Sequence, residues 1–365
     1  MATARATTAA SRPMTNSLTA GKLPRGTTWW VLVGSWVIFG AIFAMLAASG
    51  AAKDFNMVGA IFFGTVLFDV VLFVLSLLVE GVRRAKDRLV TSLVATAFVI
   101  ALLPLISLLW TVIANGLARF DVTYFTESMR NVIGAGGGAL HAIVGTLEVT
   151  AMAALISIPI GLLTSIYLVE YGRGHLARGI TFLVDVMMGI PSIVAGLFAY
   201  ALFALLSGQP GIRSGFMGSI ALSVLMIPVV VRASEEILRL VPNELREASL
   251  ALGVPKWLTV VKVVLPTSLA GITTGIMLSI ARVIGETAPL LIVAGFTASM
   301  NYNLFSERMM TLPVFVYTQY ANQGSPASAF LERAWTGALA LIIIVMLLNL
   351  IGRIVARVFA PKYGR

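Results

Sequence analysis

The chain has 365 residues, 58% of them hydrophobic and only 12% charged, with a formal net charge of +10. Soluble domains carry about 25% charged residues, so this composition, with a mean hydropathy of +0.94, excludes a water-soluble fold. Cysteine is absent, which removes disulfides, thiolate metal sites and cysteine nucleophiles.

Residues 1–28 are rich in Ala, Thr, Ser and Pro, carry Arg5, Arg12, Lys22 and Arg25, and read as a disordered cytoplasmic tail. The apolar run behind them is too long for the core of a cleavable signal. Trp29 and Trp30 stand where an interfacial aromatic anchor belongs. Apolar runs able to cross a bilayer, which takes about 20 residues, then occupy 29–50, 57–79, 89–114, 141–169, 179–206, 216–234, 268–295 and 335–358. They predict an all-α polytopic membrane protein with about eight transmembrane helices.

With the N-terminus placed inside, nineteen Lys and Arg fall in inner segments and six in outer ones, and Arg282 stays within a span. That asymmetry puts both termini in the cytoplasm. It also accounts for the basic charge as orientation and headgroup contact, with no nucleic-acid partner. Residues 29–79 form a tight hairpin ending in the basic run Arg83-Arg84-Ala85-Lys86-Asp87-Arg88. Polar features become more elaborate from residue 89 onward. The predicted organisation is a tail (1–28), an accessory hairpin with its basic loop (29–88) and a six-helix membrane domain (89–365) with a cytoplasmic loop at 235–266.

That loop is long, charged and amphipathic, wedged between two apolar runs. Asn243 suits an N-cap, and Glu244 and Glu247 complement the positive end of a helix over 244–252. Gly253 followed by Val254-Pro255 predicts a sharp exit. Lys256–Lys262 then begins a second amphipathic stretch leading to Leu265-Pro266. The unit suits insertion into a cleft on a soluble partner; the alternative is an interfacial helix lying on headgroups.

Within the spans, Arg282 and Glu286 are four apart and predict one shared helix face. An unpaired arginine at mid-bilayer depth costs at least about 2.5–3.5 kcal/mol, so the pair should face the bundle interior. A guanidinium fork suits a tetrahedral oxyanion, and Glu286 would neutralise it when the pathway is empty. The alternative is a buried ion pair fixing helix register. Arg232, before Glu235 and Glu236, suits either an inner exit site or an interfacial anchor. Glu148 and Asp185 are read as capping or bridging helices, and Asp69 has no evident partner. His141 and His175 cannot alone assemble a zinc site. Gly134–Gly138 lacks the ending and strand context of a nucleotide-binding loop, and no Walker motif occurs, so the chain should not hydrolyse ATP. Pro159, Pro191, Pro228, Gly275, Gly285 and Pro289 are candidate hinges.

Glu247-Ala248-Ser249, Gly253 and Val263-Val264-Leu265-Pro266 together resemble the EAA loop by which ABC-importer permeases meet their ATPase. Ile160–Gly172, Ile190–Phe198, Ile227–Glu236 and Ala281–Leu291 are similar to segments of the A-type permeases of bacterial phosphate-specific transport (Pst) importers. The resemblance runs from about residue 90 to the end. Leu312-Pro313-Val314 and Leu348-Asn349-Leu350 favour the A-type over its C-type partner. Ser249 replaces the usual second alanine, and the hairpin 29–79 has no counterpart in the six-helix pattern.

The resemblance implies a type I ABC importer permease fold and a non-catalytic subunit passing inorganic phosphate across the bacterial plasma membrane. Its implied partners are a C-type permease, an ATPase homodimer that binds ATP and Mg, and an extracytoplasmic phosphate-binding protein; no cofactor is expected in this chain. It further implies that Arg282, Glu286 and Arg232 line the pathway and that Glu247, Ala248, Gly253, Leu265 and Pro266 couple to the ATPase. A permease for sulfate or phosphonate and an ion-gradient-driven carrier are the alternatives.

Overall fold

The computed structural model describes residues 21–24, 26–49 and 55–359, and all regular structure among them is helical. Most of the expected tail, residues 1–20 and 25, lies outside the described residues. In order, the helices are α1 (Thr27–Ala48), α2 (Met57–Val79), α3 (Val82–Gly116), α4 (Val122–Thr126), α5 (Leu140–Ile166), α6 (Gly174–Met188) and α7 (Ser192–Ser207). They continue with α8 (Gly215–Arg239), α9 (Asn243–Ala251), α10 (Lys256–Thr259), α11 (Leu265–Val283), α12 (Ala288–Val293), α13 (Leu312–Ala321) and α14 (Ala327–Phe359).

Seven helical spans among the described residues are long and apolar enough to cross a membrane, and α6 with α7 makes an eighth if that bent pair is one span. The chain is a multi-pass membrane protein. Two expected continuous helices are in fact broken. The run at 179–206 bends by 108° between α6 and α7, because Pro191 removes a donor and keeps Ile190 out of the helical region. The run at 268–295 stops at Val283 and resumes at Ala288. Hydropathy is blind to both breaks, since apolar residues continue on either side.

The chain divides into two compact units, residues 1–108 and 109–365. In the first, α1 and α2 approach closely because Gly64 leaves room: a Cβ there would stand 2.6 Å from the Trp36 ring. Trp36 donates its indole N–H to Thr65 Oγ1 at 3.1 Å, and Phe39 stacks on Phe63. Asn56 caps α2 by accepting from the Gly59 amide. The basic run at 83–88 is part of α3, which begins earlier than the apolar pattern predicts.

Buried Glu80 ties this unit together. It accepts from Arg88 Nε at 2.6 Å, from Ser76 Oγ at 2.9 Å and from the Leu23 amide at 3.0 Å. Those bonds, led by the one from Arg88, hold its pKa down at about 2 against an ordinary 4.5. A depressed carboxylate stabilises the fold fully above its unfolded pKa and loses that contribution as pH falls toward its folded one. Glu80→Gln should therefore destabilise the protein at neutrality, by about 2 kcal/mol given bonds to a charged group. The gap from the parent should close as pH drops from above 4.5 to about 2, as read by thermal unfolding in detergent.

In the second unit α5 and α8 run parallel. Ser219 Oγ donates to the Val149 carbonyl at 3.0 Å and Ser223 Oγ to the Ala153 carbonyl at 3.4 Å, both at an offset of 70 residues. Every fourth residue of α5 from Gly145 (then Val149, Ala153, Ser157, Gly161 and Ser165) is buried, and all but Val149 are small, as close packing of membrane helices favours. α11 returns antiparallel along α8, with Gly275 against Ala233 and Gly271 against Ile237.

The glycine-rich stretch before α5 is a clamp for two arginines. Arg333, fully buried, donates to the carbonyls of Gly134 at 2.6 Å and Gly136 at 3.0 Å and to Gln319 Oε1 at 2.9 Å. Arg119 donates to the Gly137 carbonyl at 2.9 Å. Gly134, Gly136 and Gly137 all adopt positive φ, the conformation glycine reaches without strain.

A Cβ on Gly145 would fall 2.1 Å from the Met310 carbonyl oxygen, whereas one on Gly34 would meet nothing within 4 Å. Gly145→Ala should thus cost about 1–3 kcal/mol by overpacking against backbone. Gly34→Ala should cost nothing, and the two melting temperatures in detergent compare them.

Candidate functional site

The connection from α8 to α11 is a helix, a turn and a second helix, as its sequence predicts, with two local differences. Asn243 is not the N-cap: Pro242 holds that place, Asn243 is the first helical residue, and its Oδ1 accepts from Arg246 at 3.1 Å. The proline's fixed φ presets the helix entry, which leaves the asparagine oxygen for the arginine. The second difference is a π-helical turn at Val260–Val264, just before α11. Pro266 would otherwise collide with the carbonyl four residues earlier, at Lys262, so a widened turn there accommodates it.

Gly253 ends α9 with φ +76 and open space around its Cα. Its amide donates to the Leu250 carbonyl at 3.0 Å, and the Val254 amide donates to the Ser249 carbonyl at 3.2 Å. The hydroxyls of Ser249 and Thr259 meet at 2.9 Å and close the elbow. Because Ser249 is buried in this contact, the departure from alanine has a structural use.

The elbow is braced against the bundle. Arg246 donates to Glu170 Oε1 at 2.9 Å and to the Leu238 carbonyl at 2.9 Å. Lys256 donates to the Glu170 carbonyl and lies over the Tyr171 ring. Glu170 and Tyr171 belong to a π-helical turn, Tyr167–Tyr171, that prolongs α5. Beneath it Leu238, Val241, Val264 and Ile272 form an apolar cluster joined by Leu265. Displacing the elbow therefore drags on α5, α8 and α11 together. Its other face is uncovered: Glu247, Ala248, Leu250 and Gly253 are exposed, and Leu252 and Trp257 are 83% and 61% exposed.

The arginines differ more than their sequence contexts suggest. Arg232, on α8, donates to Asp185 of α6 and, at 2.8 Å, to Glu235, whose other oxygen accepts from Arg239 at 2.6 Å. Asp185 thus bridges helices as predicted. Glu148 does not: its buried Oε2 has no partner among the described residues, and the same holds for Oδ1 of Asp69.

Arg282 and Glu286 do not share a helix face. α11 ends at Val283, the Glu286 amide donates back to the Val283 carbonyl at 3.1 Å, and no ion pair joins the two. Gly285 and the proline at 289 interrupt the 3.6-residue period that the expectation assumed. Arg282 is exposed, with no side-chain partner among the described residues, and Glu286 is half-buried. Extending the α8–α11 register places Arg282 level with about Met226, about 9 Å of helix rise from Arg232.

The four motif segments pack in pairs. Gly161 lies against Val230, which joins the Ile160 and Ile227 segments, and Gly196 lies against Pro289, which joins the Ile190 and Ala281 segments. Sequence reasoning missed the brace from Arg246 to Glu170, although both residues stand within or beside quoted motifs. A charge pair separated by 76 residues leaves no local signal.

The arrangement is a helical membrane bundle with a braced, outward-facing elbow, the architecture of ABC importer permeases. Two inward-facing structures of the MetNI methionine ABC transporter match it with TM-scores of 0.50 and 0.51, covering 61% of this chain and 96% of theirs at 21% and 23% identity, a likeness of fold. The family described as binding-protein-dependent transport system inner membrane component matches residues 157–365. Phosphate transport system permease protein PstA 1 of Mycobacterium tuberculosis is 50% identical over 273 residues, 73% of this chain and 86% of its own length. PstA of Mycobacterium leprae is 48% identical over 74% of this chain and 88% of its own length, and PstA of Pasteurella multocida 39% over 78% and 97%. The chain belongs to the PstA family of phosphate transport system permease proteins.

Proposed function

We infer that this chain is a transmembrane permease subunit of an ATP-driven importer that passes inorganic phosphate into the cell. It is not an enzyme: ATP hydrolysis resides in a partner ATPase. Family membership carries the inference, and the braced elbow with its uncovered apolar face supports it, since an ion-gradient carrier has no use for a docking surface there. The partners are a C-type permease, a pair of ATPases and an extracytoplasmic phosphate-binding protein. The positive-inside asymmetry supports a bacterial plasma-membrane location with the elbow and both termini in the cytoplasm.

In this reading Glu247, Ala248 and Gly253 meet the ATPase, while Leu265 and Pro266 fix the second arm of the elbow to the bundle. Arg282 offers its free guanidinium to phosphate, Glu286 sits beside the same break, and Arg232 receives the anion nearer the elbow. Residues 89–365 form the transport domain and 29–88 an accessory hairpin. Co-purification with subunit identification, followed by labelled-phosphate uptake into reconstituted vesicles, tests the reading. ATP-dependent uptake is expected; anion passage without a nucleotide-hydrolysing partner would overturn it.

A further inference from the structure

At the end of α8 opposite the elbow, two arginines converge on one glycine. Gly295 follows α12 with φ +77. A Cβ built on it would stand 2.9 Å from Arg213 Cδ and 3.4 Å from Arg308 Cδ. The two arginine stems are therefore no farther apart than the sum of those distances. Backbone bonds hold them there: the Ser214 amide donates to the Val293 carbonyl at 3.1 Å and the Met309 amide to the Ala294 carbonyl at 3.1 Å. Asn301 Nδ2 donates to the Arg308 carbonyl at 3.1 Å.

Neither guanidinium has an anionic partner among the described residues. No ion pair involves Arg213, Arg308 or the neighbouring Glu307 among the described residues. Arg213 Nε is buried with no acceptor among the described residues. By contrast, Arg119, Arg232, Arg239, Arg246 and Arg333 all donate to carboxylates or carbonyls. Two arginine stems drawn together, one of them carrying a desolvated and unmet donor, leave a place for an anion that would satisfy both. The break after α11 leads through α12 to the same glycine, and Arg282 lies about 16 Å of helix rise below the start of α8.

We propose that Arg213 and Arg308, set around Gly295, form a capture site for a tetrahedral oxyanion at the mouth of the pathway, upstream of Arg282. This rests on the phosphate-import reading above. A positive mouth raises the local anion concentration. Two guanidiniums that share no carboxylate release the anion more readily than a closed binding-protein pocket would.

The chain contains no cysteine, so Phe296→Cys places a single thiol in it, on an exposed residue next to Gly295. In the reconstituted importer, its modification by an anionic methanethiosulfonate should be roughly tenfold faster than by a cationic analogue. Inorganic phosphate should slow that modification. Arg213→Gln with Arg308→Gln should abolish both effects. Lysine at both positions should keep the charge preference but weaken phosphate protection, because the bidentate fork is lost. No charge preference in the parent, or protection that persists without both arginines, would overturn the site. Protection that requires only the binding protein, with or without phosphate, would also overturn it and make the arginines a protein contact. ATP-driven uptake without protection defeats this site alone, whereas protection without ATP-driven uptake defeats the importer reading and leaves the site standing.

Discussion

Arg282→Gln is expected to lower phosphate uptake by about a hundredfold while the subunits still assemble. Two charge-assisted bonds to an oxyanion, at about 1.5–3 kcal/mol each in their net effect, are more than enough for a loss of that size. Assembly should persist because Arg282 has no carboxylate partner among the described residues, so its removal strands no buried charge. Its exposure supports the same outcome: at that depth an arginine facing lipid is costly, so its exposed face is expected to meet an aqueous seam or a partner subunit. Arg232→Gln should behave differently. It deprives Asp185 of its partner and leaves Glu235, whose side chain is 5% exposed, with Arg239 alone. Asp185 is half exposed and Glu235 keeps one arginine, so the loss of these charge-assisted bonds should cost about 1.5–3 kcal/mol, and stability and uptake should fall together. Labelled-phosphate uptake set beside size-exclusion recovery separates the two cases; uptake at the parental rate in Arg282→Gln removes that residue from the pathway.

Gly253→Asp should leave the protein in the membrane and the ATPase active, yet cut uptake at least tenfold. The backbone there has φ +76, which costs a side-chain-bearing residue about 1–2 kcal/mol. Space is not the obstacle, since a Cβ would meet nothing within 4 Å. The larger effect is a carboxylate placed on the uncovered face beside Leu252 and Trp257, where an apolar contact would have to desolvate it. Gly253→Ala carries the backbone strain without the charge and should lose much less. ATP hydrolysis and uptake measured on the same vesicles give the coupling ratio. A normal ratio in Gly253→Asp would refute the docking role of the elbow.

Much of the fold is legible in the sequence. The apolar runs, the elbow with its glycine exit, and the bridging role of Asp185 all follow from hydropathy, punctuation and charge. The bends at Pro191 and after Val283 were marked by their prolines and glycines, but nothing in the sequence says whether such a residue kinks a membrane helix or ends it. Neighbouring helices supply or withhold the replacement contacts. Arg282 and Glu286 show the consequence: a spacing of four means a shared face only while the helix continues.

The sequence by itself determined that this is a helical membrane permease and where its long amphipathic elbow lies. Those properties depend on composition and short spacings, which the chain carries locally. Only the tertiary structure decided which guanidiniums are already occupied. Arg246 reaches Glu170, Arg333 fills a glycine clamp and Arg232 closes on two carboxylates, while Arg282, Arg213 and Arg308 have no ion pair among the described residues. A charged side chain is available or spent according to what distant segments bring beside it, and packing alone sets that.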